Sequence, residues 1–437
     1  MNQNWNNLEL MCAKLSEKKN TGKLVAMTLS SCIDYLICWD SAKINSWYKQ
    51  YTIDSSLDYS KGIANAEELL KLINDMIITG NGGDFLITSK ELCREIEEKF
   101  EIEYAIGGTG AQGACALANM GFPVALHTTV FSDVMKKLIN NDLVLVEKDG
   151  KLQSIITERL GYDNDYAPHF ILQFNRGIEI VVNDDVHRAE NSNRLILTYD
   201  HKNSITPLDE EYFKVLVQNA SKVSSMVLSG FNTIIRKEIL QQRLESVNLW
   251  IDKIKQENPE IVFYLEGASY HSAAIIPYIY ATLSPKVNIL GFNEEELGDI
   301  LRINGKKYDL DDLFDLVMSL RFIIDLYKPK YGIVLHTKDY SLYFGKRCEK
   351  DIEAGLHFGN LMAGIKARLG RYGKLDDLRG YDLTIPFSPE GLKMMNFAEK
   401  YEGTEQLVVA PNRFLKNPTS TIGLGDTFTA GMQLGFI

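Results

Sequence analysis

The sequence predicts an α/β fold, with a mainly parallel sheet covered by helices on both faces and a small β-rich second domain set into it. Three observations carry this expectation. From about Asp209 onward, short apolar runs alternate with longer amphipathic segments, the rhythm of strands joined by crossover helices. Earlier, "GGTGAQGACALANMG" (107–121) places a Gly-rich turn between an apolar run and a small-residue helix. Between these parts, "PHFILQFNRGIEIVV" and "NRLILTYD" alternate as strands and break the helix–strand rhythm.

Taken in order, "KLVAMTLSSCIDYLICW" (23–39) opens as one buried strand, interrupted by Asp34. "NAEELLKLINDMIITGNGGDFLI" (65–87) is an amphipathic helix ended by glycines. A strand, the Gly-rich turn, a small-residue helix and a further strand follow, then a helix capped near Ser132. "LVLVEKDGKL" (143–152) is taken as a single strand, and "NRG" (175–177) as a turn. The later strands are "VSSMVLSGF", "EIVFYLEGAS", "KVNILGFN", "YGIVLHT", "SLYFG" and "EQLVVAP". We assign residues 1–34, 104–165 and 204–437 to the large domain, and 35–103 and 166–203 to the small one. In parallel sheets of this kind, ligands bind beyond the carboxyl ends of the strands.

The chain has 437 residues and a net charge of −11, which disfavours a general nucleic-acid or anionic-membrane surface. No apolar run reaches spanning length, and the polar first twenty residues lack the pattern of a secretory signal. Six cysteines without C-x-x-C spacing suit reduced thiols in a cytoplasm, and no H-E-x-x-H is present to bind zinc. The sequence is compatible with a monomer.

Near the end, Gly423-Leu424-Gly425 enters "DTFTAGM". Free backbone N–H groups and the dipole at a helix start favour an anion, and glycine lets the ligand come close. Asp426 at that entrance has two readings from this stretch alone: a helix cap, or a base that accepts a proton from an attacking hydroxyl. Asp34 follows an apolar strand, where a carboxylate needs partners; sugar hydroxyls or a local backbone cap would both serve.

Residues 107–121 resemble the sugar-side segment of ribokinase-like carbohydrate kinases, and "STIGLGDTFTAG" (420–431) resembles their C-terminal catalytic turn. Within that superfamily the chain more closely resembles the ADP-dependent glucokinase/phosphofructokinase family. "LGFNEEEL" carries an N-x-x-E as Asn293 and Glu296, and "FYLEGAS" resembles an H-x-E segment with Glu266 as its Glu. "VLHT" (334–337), "ENSNRLIL", "TGNGGDFLI" and "LSGFN" match further family segments in order. Two positions depart from the pattern: Tyr264 stands in place of the His of H-x-E, and Asp84 stands where glucokinases of the family carry Glu.

The resemblance implies a ribokinase-like three-layer α/β/α body with a β-rich lid. It implies transfer of the terminal phosphate of Mg²⁺-bound ADP to a hydroxyl of a sugar or sugar phosphate. Asp426 would be the base, with Gly423 and Gly425 forming the anion hole. Glu266 and Glu296 would hold Mg²⁺. Asn293, His336, Thr337 and the Gly423-Leu424-Gly425 backbone would bind the nucleotide, although Asn293 also suits a helix cap and His336 a satisfied strand end. Asp34, Asp84, Gly108 and Gln112 would face the sugar, while Arg188 and Arg194 would suit a substrate phosphate. The rival readings are an ATP-dependent ribokinase-type enzyme and a non-catalytic sugar-binding protein on the same scaffold. A Rossmann dehydrogenase is disfavoured, because "GGTGAQG" does not set its glycines at the N-terminal strand with a ribose-binding acid downstream, as the dinucleotide fingerprint requires.

Overall fold

The apolar runs become strands of one ten-stranded sheet in the computed structural model. It describes residues 7–53, 58–129, 132–157, 166–234, 236–270, 272–309, 312–381 and 383–437. From one edge the strands are Gln406–Pro411, Tyr340–Gly345, Gly332–His336, Ile289–Phe292, Val262–Glu266, Val223–Leu228, Leu24–Thr28, Val124–Leu126, Val144–Lys148 and Lys151–Ser154. The seven strands from Gly332–His336 to Val144–Lys148 run parallel, and the outer strands join antiparallel.

Successive residues of a strand serve opposite cores. Val25 and Met27 pack with helices Thr109–Asn119, Ile352–Leu369 and Leu424–Met432. Leu24 and Ala26 pack with Lys237–Glu257, Ile276–Leu283 and Leu313–Tyr327 on the other face. The result is three layers. Each fully buried aliphatic side chain in them contributes about 1.5–3 kcal/mol. Two helices of the first face touch closely, since a Cβ on Gly359 would lie 2.6 Å from Phe428 and one on Gly431 2.7 Å from the Gly359 Cα. This contact fixes the helix that carries Asp426, and it explains why that helix is built from small residues.

A second, mixed sheet has the order Gly83–Leu86, Asn193–Thr198, Pro168–Phe174, Cys32–Ile37 and Ile102–Gly107. Its own core includes Trp47, Leu70, Ile73, Phe170, Leu172 and Leu195. Helix Ala66–Thr79 covers it, begun by the Asn65 side chain on the Glu68 N–H and ended by Gly80 in the left-handed region.

Three sequence expectations change. Residues 23–39 form two strands in different sheets, because the chain turns at Leu29 with φ of 71°. Residues 143–152 form a hairpin, because Asp149 and Gly150 both adopt positive φ, as a tight hairpin turn requires. The small sheet takes in Cys32–Ile37 and Ile102–Gly107, so it begins before residue 35 and runs past residue 103. Among the described residues, no helix is long and apolar enough to cross a membrane.

Candidate active site

Register across the small sheet builds one wall of a cavity of about 270 Å³. Asp34 pairs with His169, and His169 with Thr198; one step along, Ile171 pairs with Ile196, and Ile196 with Asp84. All six line the cavity, as does Arg194, while the alternate residues Phe170, Leu172, Leu195 and Leu197 face the small core. The period of two thus divides binding face from core face. Cys32 Sγ lies 3.6 Å from Asp34 Oδ1, and ligand atoms of Cys32, Asp34 and His169 all fall within 4.8 Å of one another. His169 Nε2 lies 2.5 Å from Asp200 Oδ2, and Asp200 is held in turn by Asn203. Burial raises the Asp34 carboxyl to about 6, against the opposing effects of His169 and Cys32. Asp84 Oδ1 accepts a 3.2 Å bond from the Thr198 hydroxyl.

The opposite wall comes from two turns of the large domain. Gly108 begins helix Thr109–Asn119 with φ of 80°, and a Cβ there would lie 2.9 Å from the Ser30 backbone. Gly423 begins helix Leu424–Met432 with φ of 64°. Both positions therefore need glycine. In the last helix the Thr427 N–H bonds Gly423 O at 3.1 Å, so the N–H groups of the preceding turn are donors for a ligand. Gly423 and Asp426 line the same cavity as Asp34, Asp84, Gly108, Gln112 and Arg194. Burial raises the Asp426 carboxyl above the ordinary aspartate range, outweighing the Thr109 hydroxyl and the Lys366 charge.

Beside this turn, at the carboxyl ends of the central strands, lies a second acidic group. Glu266 ends its strand and is 6% exposed; its Oε1 bonds Thr429 Oγ1 at 2.9 Å and His336 Nε2 at 3.1 Å. Its other oxygen, Oε2, is buried with no hydrogen-bond partner among the described residues. Glu296 and Asn293 form a capping box, with Asn293 Oδ1 on the Glu296 N–H and Glu296 Oε2 on the Asn293 N–H, both at 2.9 Å. Burial and then the nearby Glu266 charge push the Glu296 carboxyl well up. Burial opposes a charged His336, but its bond to Glu266 and the charges of Glu266 and Glu296 win, raising its pKa. The His336 ring also packs on Phe428 with centres 4.9 Å apart and planes tilted by 34°, and a Cβ on Gly425 would lie 3.1 Å from the imidazole. Two close carboxylates, one with an orphaned buried oxygen, fit a divalent cation.

The conserved region of the ADP-specific phosphofructokinase/glucokinase family matches residues 23–435. The chain belongs to this family. It is 23% identical to the ADP-specific phosphofructokinase of Thermococcus litoralis, covering 93% of this chain and 94% of that protein. It is 25% identical to the ADP-dependent glucose/glucosamine kinase of Pyrococcus abyssi, covering 86% of each. A hypothetical ADP-dependent phosphofructokinase from Pyrococcus horikoshii OT3 superposes with a TM-score of 0.78 at 20% identity, over 95% of this chain and 97% of that one. An ADP-dependent kinase in complex with fructose-6-phosphate and ADPβS gives 0.76 at 19% identity, over 98% and 96%. The fold is that of the ADP-dependent phosphofructokinases.

Against this family frame, the structure separates some of the residues that the sequence grouped. Arg188 does not line the cavity; it lies on the hairpin Glu179–Val182 with Asp185–Arg188, where it pairs with Glu179 directly opposite. Thr337 spends its hydroxyl within its own turn, on Tyr340 O and on the N–H groups of Asp339 and Tyr340. Leu424 and Gly425 stand in the first turn of the last helix. His169, Asn203, Asn232 and Thr233 line the cavity without having been singled out, and so does Cys32. The alternation in "PHFILQF" carries a signal for His169, since it sets His169, Ile171 and Gln173 on one face. Lys366, against Gln112 and Gly423, was also missed.

Proposed function

We propose that this chain transfers the terminal phosphate of ADP to a hydroxyl of a sugar or sugar phosphate, releasing AMP. The observation that carries the reading is that Asp426 and the Gly423 turn share one cavity with Asp34, Asp84, Gln112 and Arg194. The small-sheet wall positions the acceptor, with Asp34 and Asp84 accepting from its hydroxyls. The acceptor oxygen lies toward Asp426, which takes its proton as it attacks. Backbone N–H groups of the last helix stabilise charge on the transferring phosphoryl group. The small sheet acts as a lid that keeps water, a competing nucleophile, out of the cavity.

Glu266 and Glu296 are the residues that would hold Mg²⁺, directly or through water, where the ion would neutralise phosphate charge. His336 orients Glu266 through its 3.1 Å bond. Asn293 acts through the helix cap rather than on the nucleotide.

Arg194 favours a sugar phosphate as acceptor. It stands on the cavity wall, and among the described residues it forms no ion pair. The relative solved with fructose-6-phosphate agrees in class. A neutral sugar is the second reading, favoured by Asp34 and Asp84 on the same wall. Six free thiols suit a reducing compartment, so we place the reaction in the cytoplasm.

Asp426→Asn tests the base. Asn keeps the size and an oxygen for the Thr109 hydroxyl, but it cannot take the proton. Turnover should fall about 10²–10⁴-fold while ADP affinity holds or rises. The helix-cap reading does not hold, since Gly423 caps the helix and Asp426 lies within its first turn; a folded variant with near-normal turnover would leave Asp426 a structural residue and remove the proposed chemistry.

A further inference from the structure

Lys366 sits in the last turn of helix Ile352–Leu369 and is only 6% exposed. Its ammonium donates to Gln112 Oε1 at 2.8 Å and to Gly423 O at 3.2 Å, and it lies 4.2 Å from the centre of the Tyr372 ring. No Asp or Glu oxygen lies within 4.0 Å of it among the described residues. A buried ammonium without a counter-ion costs several kcal/mol, and the helix C-terminus and one aromatic face offset only part of that. A methionine would fill the same space without the cost.

The charge has two consequences for the groups around it. Gln112 Oε1 also accepts from the Tyr372 hydroxyl at 3.2 Å. With two donors on its oxygen, the amide must present its NH₂ to the cavity that it lines. Gly423, amide and ammonium are in mutual contact, since a Cβ on Gly423 would lie 1.7 Å from Gln112 Oε1 and 2.6 Å from Lys366 Nζ. One cation therefore touches a sugar-side residue and the phosphate-side turn at once.

We propose that Lys366 is a positioning residue that locks the Gln112 amide to the Gly423 turn and sets a fixed positive charge behind the transferring phosphoryl group. The inference rests on the kinase reading above. The titratable groups facing Lys366 are Asp426 from the last helix, Cys115 from the small-residue helix, Asp34 from the small sheet, and Tyr372. Burial lowers the Lys366 pKa to about 8, with Asp426, Cys115 and Asp34 opposing. Protonated Lys366 is then lost as pH rises through that value. Asp426 in turn faces Thr109, Lys366, Glu266 and His336. Removing the lysine charge removes one of the groups that hold its carboxyl down.

The test is Lys366→Met in the full chain, with kcat, both KM values, melting temperature and a pH profile of kcat/KM. We expect kcat to fall about 10²-fold, the cost of misplacing reacting groups by about an ångström. The acid limb should move to higher pH, and an alkaline limb near 8 in the wild type should disappear. Unchanged kcat with the same two limbs would overturn the proposal. So would a lower melting temperature with unchanged kinetics of the folded protein, which marks a structural role only. If the wild type turns over no sugar with ADP, the kinase reading fails by itself. ADP affinity by calorimetry then decides: weaker binding in the variant supports the charge behind the turn, and equal binding overturns it. If Lys366→Met does not fold, Tyr372→Phe loosens the same amide without touching the charge. The KM for sugar should then rise with the KM for ADP constant, and no change would overturn the proposal.

Discussion

On the small sheet, Asp34 is flanked by Cys32 and His169, and His169 is anchored by Asp200 and through it by Asn203. On the large sheet, Glu266 and Glu296 stand near each other, and one Glu266 oxygen is buried without a partner. The first region ties its buried carboxylates into hydrogen bonds within the protein and turns toward a cavity that suits a neutral group such as a hydroxyl. The second leaves that oxygen unmet among the described residues, beside a Glu296 carboxyl that burial and the Glu266 charge push well up and a His336 that Glu266 holds. Desolvated carboxylates are costly unless paired, which is why we propose that a cation arrives there with the substrate. We read the difference as two tasks, acceptor binding in the cavity and nucleotide–metal binding beside it.

The largest effect that would break this comparison is expected at Glu266. Glu266→Gln should weaken apparent Mg²⁺ affinity about 10–100-fold in a titration of turnover. It should leave the sugar KM close to that of the wild type. An unchanged Mg²⁺ titration would mean that the two carboxylates are structural and that the contrast between the regions has another cause.

Arg194→Ala sharpens the acceptor side. Loss of a charged hydrogen bond worth about 1.5–3 kcal/mol should raise the KM for a sugar phosphate about 10–100-fold. The KM for a neutral sugar should hardly move. Equal effects on both acceptors would remove the phosphate contact. Arg188→Ala should change neither, because its charge is already taken up by Glu179.

The smallest effect concerns stability at Asp34. Its carboxyl pKa is raised from 3.8 to about 6 in the folded chain, so the folded state holds the proton more tightly than the unfolded state. Folding stability is then lost as pH rises between those two values and stays lower above them. Asp34→Asn should raise the melting temperature at pH 8 but not at pH 4, while weakening sugar binding. A melting temperature that falls at pH 8 would show that the charged form is stabilised in place, contrary to the burial argument.

The large sheet was legible because strands buried on both faces read as near-continuous apolar runs such as "IVFYL" and "GIVL". The Asp426 turn was legible because its glycines and carboxylate lie side by side in sequence. The row of Asp34, His169 and Thr198 was not, since it depends on register between three strands far apart in the chain. Alternation shows which residues share a face, not which face meets a ligand. Nothing in the sequence sets Lys366 apart from the other lysines, and only the packing of its helix on the last one reveals what it touches. Arg188 and Arg194 look alike in sequence, and a single cross-strand partner, Glu179, separates them.

The proposed reaction moves the terminal phosphate of ADP to a sugar-type hydroxyl. The most direct measurement follows AMP release from ADP with Mg²⁺ in the presence of fructose 6-phosphate, glucose or no acceptor, with ATP as the alternative donor. The account predicts acceptor-dependent AMP formation matched by phosphorylated sugar, with ADP the preferred donor. Sugar phosphorylation with ATP but not with ADP, or no phosphorylated product with either donor, would contradict it.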